Sequence, residues 1–182
     1  MTLDTIKVLD AVAFATSAHD GQRRKYENTP YILHPIRVAK RVSCIDQVTT
    51  DMVCAALLHD VLEDCPQITS FDIENRFGHE VYRLVSALTD DKVVRNGPNR
   101  AVRKAMTRDR LHVAGWAAQS IKCADLIDNL SSIVANDKNF GKVFIFEAYA
   151  LVEAMPLAEA TIRDEILGDL EYFKRWGSTA SA

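Results

Sequence analysis

Apolar residues recur at helical spacing along most of the chain. Val8, Val12, Ala15 and His19 fall on one face, with Leu9 beside them, and predict a helix over 3–19 that Gly21 stops. Ile36, Val38, Ala39 and Val42 predict a second helix, opened by Pro35, whose missing N–H costs nothing in a first turn. A third, capped by Thr49 or Thr50 and closed by Pro66, is almost continuously apolar in its first half. Phe71, Ile73 and Phe77 mark a short helix ending at Gly78, and Val81, Leu84, Val85 and Leu88 another. Asn96-Gly97-Pro98-Asn99 is the clearest loop. Beyond it, a long helix is expected over 111–135, with Cys123, Ile127, Leu130 and Val134 as its apolar stripe and Asp125, Asn129 and Ser132 as a polar one. Two packing helices follow, over 140–154 and 158–175. No stretch alternates convincingly as a strand, so the pattern predicts an all-α bundle of about eight to ten helices.

Composition narrows this to one domain over 1–182. A chain of 182 residues, 48% hydrophobic and 26% charged, is long enough for a real core. The net charge of −3 does not favour generic nucleic-acid binding. No apolar run is long enough for a membrane span, and no signal-peptide pattern opens the chain, which points to a cytoplasmic protein. Cys44, Cys54, Cys65 and Cys123 form no C-x-x-C pair and read as reduced, buried small hydrophobes. His79 and His112 read as structural or surface residues. Oligomeric state is not legible.

Chemistry concentrates in Ala55-Ala56-Leu57-Leu58-His59-Asp60-Val61-Leu62-Glu63-Asp64. Four apolar residues run into a histidine and three acids, and no Lys or Arg lies between Asp51 and Ser70. Acids crowded on a partly buried helix repel one another and lose solvation, and a divalent cation relieves both costs. Acids pointing into water from a helix end fit the stretch equally well. Two basic runs carry similar alternatives. Gln22 to Pro30, with Arg23, Arg24 and Lys25, is a solvated turn or a clamp for a phosphate or a base. Residues 92–110 hold seven cations against Asp109 alone, and form a solvated face or a wall that attracts a highly charged anion.

Taken together, His34, His59, Asp60 and Asp125 would supply two imidazoles and two carboxylates from three helices. That donor set suits a six-coordinate cation with positions left for water and a phosphoryl oxygen. Glu63, one turn beyond His59, is placed to orient or deprotonate that water, with Asp64 assisting.

This H…HD…D order resembles the HD-domain metal phosphohydrolases, and within them the Rel/Spo-type alarmone hydrolases. Ala18-His19-Asp20-Gly21-Gln22-Arg23-Arg24 is similar to that family's AHxGQxR segment, and Thr29 to Pro35 to its PYIxHP. Ala55 to Asp64 is similar to AALLHDVxED, Phe77-Gly78 with Val81 to FGxEV, and Ile121 to Asp125 with Asn129 to iKLADrxxN. Thr89-Asp90-Asp91-Lys92 resembles the small, single-domain members. The resemblance implies an HD helical bundle and a stand-alone enzyme of the stringent-response alarmone that removes the 3′-pyrophosphate of (p)ppGpp, giving GDP or GTP. It implies a Mn ion on His34, His59, Asp60 and Asp125, water handled by Glu63 and Asp64, and guanine-nucleotide contacts from Arg24, Lys25, Asn129 and Ser132. It implies neither a nucleic-acid nor a membrane partner. Cys123 replaces the usual Leu. Asp128 stands where His or Tyr is common, and Leu130-Ser131-Ser132-Ile133 lacks the usual Arg, which adds an anion and removes a cation near the nucleotide. That altered segment motivates an alternative substrate, another phosphorylated nucleotide such as NADPH with its 2′-phosphate. A non-catalytic nucleotide-binding HD protein is a third reading, which would need lost ligands; none is lost.

Overall fold

The computed structural model describes residues 2–90 and 99–179, and the side chains of 176–179 are outside it. Ten helices lie among these residues: α1 (Thr5–Ala18), α2 (Leu33–Val42), α3 (Thr50–Leu58), α4 (Val61–Asp64), α5 (Ser70–Phe77), α6 (His79–Leu88), α7 (Arg100–His112), α8 (Gly115–Asn136), α9 (Lys138–Glu153) and α10 (Ala160–Thr179). The only extended pairing among them is an isolated bridge between Arg23 and Pro30. Lys92, Arg95 and most of the Asn96–Asn99 loop lie outside the described residues; Asn99 itself caps α7, its side chain accepting from Val102 N–H.

Helix α3 is the centre of the bundle. Thr49 caps it by accepting from Met52 N–H, and every residue from Met52 to Leu58 is buried. A helix buried on all faces needs neighbours on all sides, and α1, α2, α6 and α8 provide them. The long α8 packs in turn against α2, α9 and α10, so one buried cluster runs from Ala11 to Leu170. His59 and Pro35 are buried within this packing.

Three expectations change here. Residues 100–112 form a helix of their own, and the long helix starts at Gly115 rather than at 111. The 50–64 segment is not one helix but is broken at His59-Asp60 into α3 and α4. His59 Nδ1–H donates to the Ala56 carbonyl at 2.8 Å, an oxygen that regular helix would give to a backbone N–H. Cys44 is exposed, while Cys54, Cys65 and Cys123 are buried. Gly21 ends α1 as the pattern required, with φ at 76°, a region open to glycine. His79 is exposed beside Glu74, and His112 is exposed against the Ala154 carbonyl.

Candidate metal centre

Three helical segments converge at the end of α3. The start of α2 brings His34, the α3–α4 break brings His59 and Asp60, and the middle of α8 brings Asp125. His34, His59 and Asp125 each offer a donor atom within 4.8 Å of the others. His34 Nε2 lies 3.1 Å from Asp125 Oδ1 and 3.5 Å from Asp60 Oδ2. His59 Nε2 lies 3.2 Å from Asp60 and 3.7 Å from Asp125. Asp60 is the more open acid, with a side chain 20% exposed against 6% for Asp125.

The two rings are oriented from behind. A carbonyl only accepts, so the His59–Ala56 bond makes Nδ1 the donor and turns Nε2 inward. Nε2 of His59 is buried and has no hydrogen-bond partner. His34 faces the Asp128 carboxylate through Nδ1 at 2.7 Å, again turning Nε2 inward. An orphaned, buried imidazole nitrogen beside two carboxylates fits a divalent cation held by nitrogen and oxygen donors.

The electrostatics agree. Burial opposes charge on both imidazoles, but the surrounding acids outweigh it, holding His34 up to about 11 and His59 up to about 9. Burial likewise opposes charge on Asp60 and Asp125, yet His59 beside the first and Lys122 beside the second keep both well below the usual carboxylate range. Such a centre favours positive charge at its middle.

Glu63 and Asp64 flank the centre from α4. Glu63 Oε2 accepts from Asp90 N–H at 3.1 Å, and burial, with the negative charges of Asp60 and Asp90, raises its pKa above the usual glutamate value. The Tyr31 hydroxyl donates to Asp60 Oδ2 at 2.6 Å and reaches Asp64 Oδ2 at 3.3 Å, bridging the two acids. A cavity of about 290 Å³ opens here, lined by Asp60, Glu63, Lys104, Lys122, Asp125 and Asn129 among others.

The expected nucleotide residues divide. Arg24 donates to Asn129 Oδ1 at 3.0 Å, so these two stand together at the edge of the centre. Ser132 is buried, and its hydroxyl has no hydrogen-bond partner among the described residues. Lys25 turns away, its ammonium 3.2 Å from the Tyr26 hydroxyl. Of the basic 92–110 segment, Arg100 pairs with Glu147 and Arg110 with Asp90, each at 2.6 Å, which ties these cations to the fold. Lys104 alone of the segment's described cations lines the cavity.

Sequence reasoning gave no role to Lys122 or Asp90. Lys122 binds Asp125 Oδ2 at 2.6 Å, and its position three residues earlier on α8 was the available signal. Asp90 is fixed by Thr107 at 2.9 Å and Arg110, contacts between helices that no local pattern announces.

Residues 11–140 match the family model of the HD domain. The chain is 37% identical over 135 residues to the guanosine-3′,5′-bis(diphosphate) 3′-pyrophosphohydrolase MESH1 of Xenopus tropicalis, covering 73% of this chain and 73% of that one. The Homo sapiens enzyme of the same name is 38% identical over 136 residues, with 73% of each chain covered. Among solved structures, that of a metazoan ortholog of SpoT that hydrolyzes ppGpp matches with a TM-score of 0.83 at 28% identity, covering 94% of this chain and 98% of the other. Among the described residues, no helix is long and apolar enough to cross a membrane.

Proposed function

The chain belongs to the HD-domain family, and on that premise we propose that it hydrolyses the 3′-pyrophosphate of (p)ppGpp to GDP or GTP and pyrophosphate. The observation that carries this is the His34, His59, Asp125 cluster with Asp60 and Glu63 at its rim, in a chain that aligns with named enzymes of that activity over 73% of its length. His34, His59, Asp60 and Asp125 would hold the metal, and Mn2+ suits their mixed nitrogen and oxygen donors. When bound, such an ion supplies Lewis-acid polarisation of the phosphoryl group and a lowered pKa for water.

The chain's own residues do the rest. Glu63, with its raised pKa and a carboxylate fixed by Asp90 N–H, takes the proton of the attacking water. Asp64, linked through Tyr31 to Asp60, assists in orienting that water. Lys122 and Lys104 line the cavity with positive charge that favours a pyrophosphate. Arg24 and Asn129 stand on the nucleoside side of the site, Arg24 presenting its stacking face, while the Asn129 amide accepts from Arg24 and donates to Asp125 Oδ1 at 2.6 Å, with Ser132 one turn beyond. The start of the connection that carries Arg24 places Lys25 farther out, where it meets the nucleotide only by moving off Tyr26. The 182 residues act in this reading as a single hydrolase domain in the cytoplasm.

Purified protein supplied with Mn2+ and ppGpp is expected to release pyrophosphate, and Asp60→Ala to abolish that release. Preferred turnover of another phosphorylated nucleotide, NADPH in particular, would overturn the choice of ppGpp while leaving a hydrolase.

A further inference from the structure

His34 is enclosed by a small frame built from two helices. On α2, His34 and Arg37 are three residues apart and share a face; on α8, Asp125 and Asp128 do the same. The helices pack together, so each residue of one pair meets a residue of the other. His34 Nε2 faces Asp125 at 3.1 Å, while its Nδ1 lies 2.7 Å from Asp128 Oδ2. Arg37 closes the frame by gripping Asp128 with two bonds, Nε to Oδ1 at 2.5 Å and a terminal nitrogen to Oδ2 at 3.1 Å. The imidazole is 1% exposed and makes edge contacts with the rings of Tyr31 and His59, so it has no room to turn.

Asp128 adds a negative charge near the proposed nucleotide site, and its carboxylate is held by His34 and Arg37, with Arg24 farther off at 3.8 Å. Burial pushes the Asp128 carboxyl up, and those two hydrogen bonds outweigh it, holding it down at about 2. The charge that departs from the family pattern is thus directed chiefly at the metal ligand and Arg37, with Arg24 a more distant neighbour.

Resting on the metal reading above, we propose that Asp128, held by Arg37, is a positioning residue that fixes the Nδ1–H tautomer of His34 and aims its Nε2 lone pair at the cation. A carboxylate behind a ligating imidazole also raises the donor strength of the far nitrogen, and loss of such a partner typically weakens metal binding about 10- to 100-fold. Asp128 therefore sets metal affinity without touching metal or substrate. Arg37 is the outer end of this chain of contacts. It also lines a larger groove of about 480 Å³, together with Asp128, Lys40, Arg41 and Glu165.

The test is a titration of the full chain with Mn2+, following free Mn2+ by its electron paramagnetic resonance signal, beside steady-state turnover of ppGpp. Asp128→Asn keeps the shape and removes the charge. It is expected to raise the Kd for Mn2+ about 10- to 100-fold, to keep the KM for ppGpp at saturating Mn2+, and to regain turnover as Mn2+ is added. Arg37→Lys replaces the two-pronged grip with a point charge and is expected to shift the Kd in the same direction by less. Wild-type Mn2+ affinity in Asp128→Asn would overturn the proposal, as would a defect confined to the KM for ppGpp. Should Asp128→Asn fail to fold, Arg37→Lys decides, and unchanged Mn2+ affinity there overturns it. A wild-type chain that binds no Mn2+ would instead remove the metal reading itself, a result seen before any variant is made.

Discussion

Metal binding at this centre must displace protons, and the number is worked from the two histidines. Burial and the surrounding acids together leave His59 at about 9 and His34 at about 11. At pH 7 both rings are therefore protonated in the metal-free protein. A protonated imidazole has no lone pair to give, so a cation enters only as those protons leave. Asp60 and Asp125, held well below the usual carboxylate range, contribute none. Binding of Mn2+ at pH 7 is expected to release about two protons, and its apparent affinity to rise with pH by up to about a hundredfold per unit until His59 has titrated. Calorimetric titration of the metal-free protein with Mn2+ in buffers of different ionisation enthalpy reads the proton number directly from the slope. His34→Ala should reduce it by about one. A slope of zero in the wild type would refute the reasoning, because the ligand set would then not include these two imidazoles.

The remaining predictions concern the neighbours of that centre. Glu63→Gln removes the proposed general base without changing its size, and is expected to lower kcat by about 10²- to 10⁴-fold while Mn2+ affinity holds; single-turnover rates would show it. Arg110→Met removes one of the two side chains that hold Asp90, whose N–H donates to Glu63, so kcat should fall by less than in Glu63→Gln, in a kinetic comparison of the two. In the metal-free protein, His34 and His59 are raised above the ordinary value of 6.5. Their contribution to stability is thus full below about 6.5 and lost as pH climbs through about 9 and 11, so thermal melts from pH 7 to 10 should show Tm falling, and less so with Mn2+ present. Leu58→Ala, in the helix that carries His59 and with a side chain that is fully buried, is expected to cost about 2–5 kcal/mol by chemical denaturation.

Much of this was legible in the sequence because local spacing carries it. The apolar stripes gave α1, α2, α6, α9 and α10 nearly at their ends, and the ordered motifs brought out His34, His59, Asp60 and Asp125. The break at His59-Asp60 was not legible, since Val61 and Leu62 continue the apolar pattern while the event that ends α3 is a side chain taking a backbone carbonyl. Residues 100–112 form a helix of their own, whereas the sequence suggested only a basic stretch running into one long helix. The partners of Asp128 were hidden for a different reason. Its pairing with His34 and Arg37 depends on the rotation of α8 against α2, which periodicity within either helix leaves free. The same holds for Arg100 and Arg110, whose charges fitted a solvated face or an anion-attracting wall and which pair instead with Glu147 and Asp90 on other elements.

The central claim is that His34, His59, Asp60 and Asp125 seat a cation at which Glu63 directs water onto a nucleotide's 3′-pyrophosphate. It is tested most directly by pyrophosphate release from ppGpp by the purified protein, with Mn2+ and with EDTA. The account predicts turnover with Mn2+ that EDTA abolishes and added Mn2+ restores; turnover indifferent to EDTA, or none from protein carrying bound Mn2+, would contradict it.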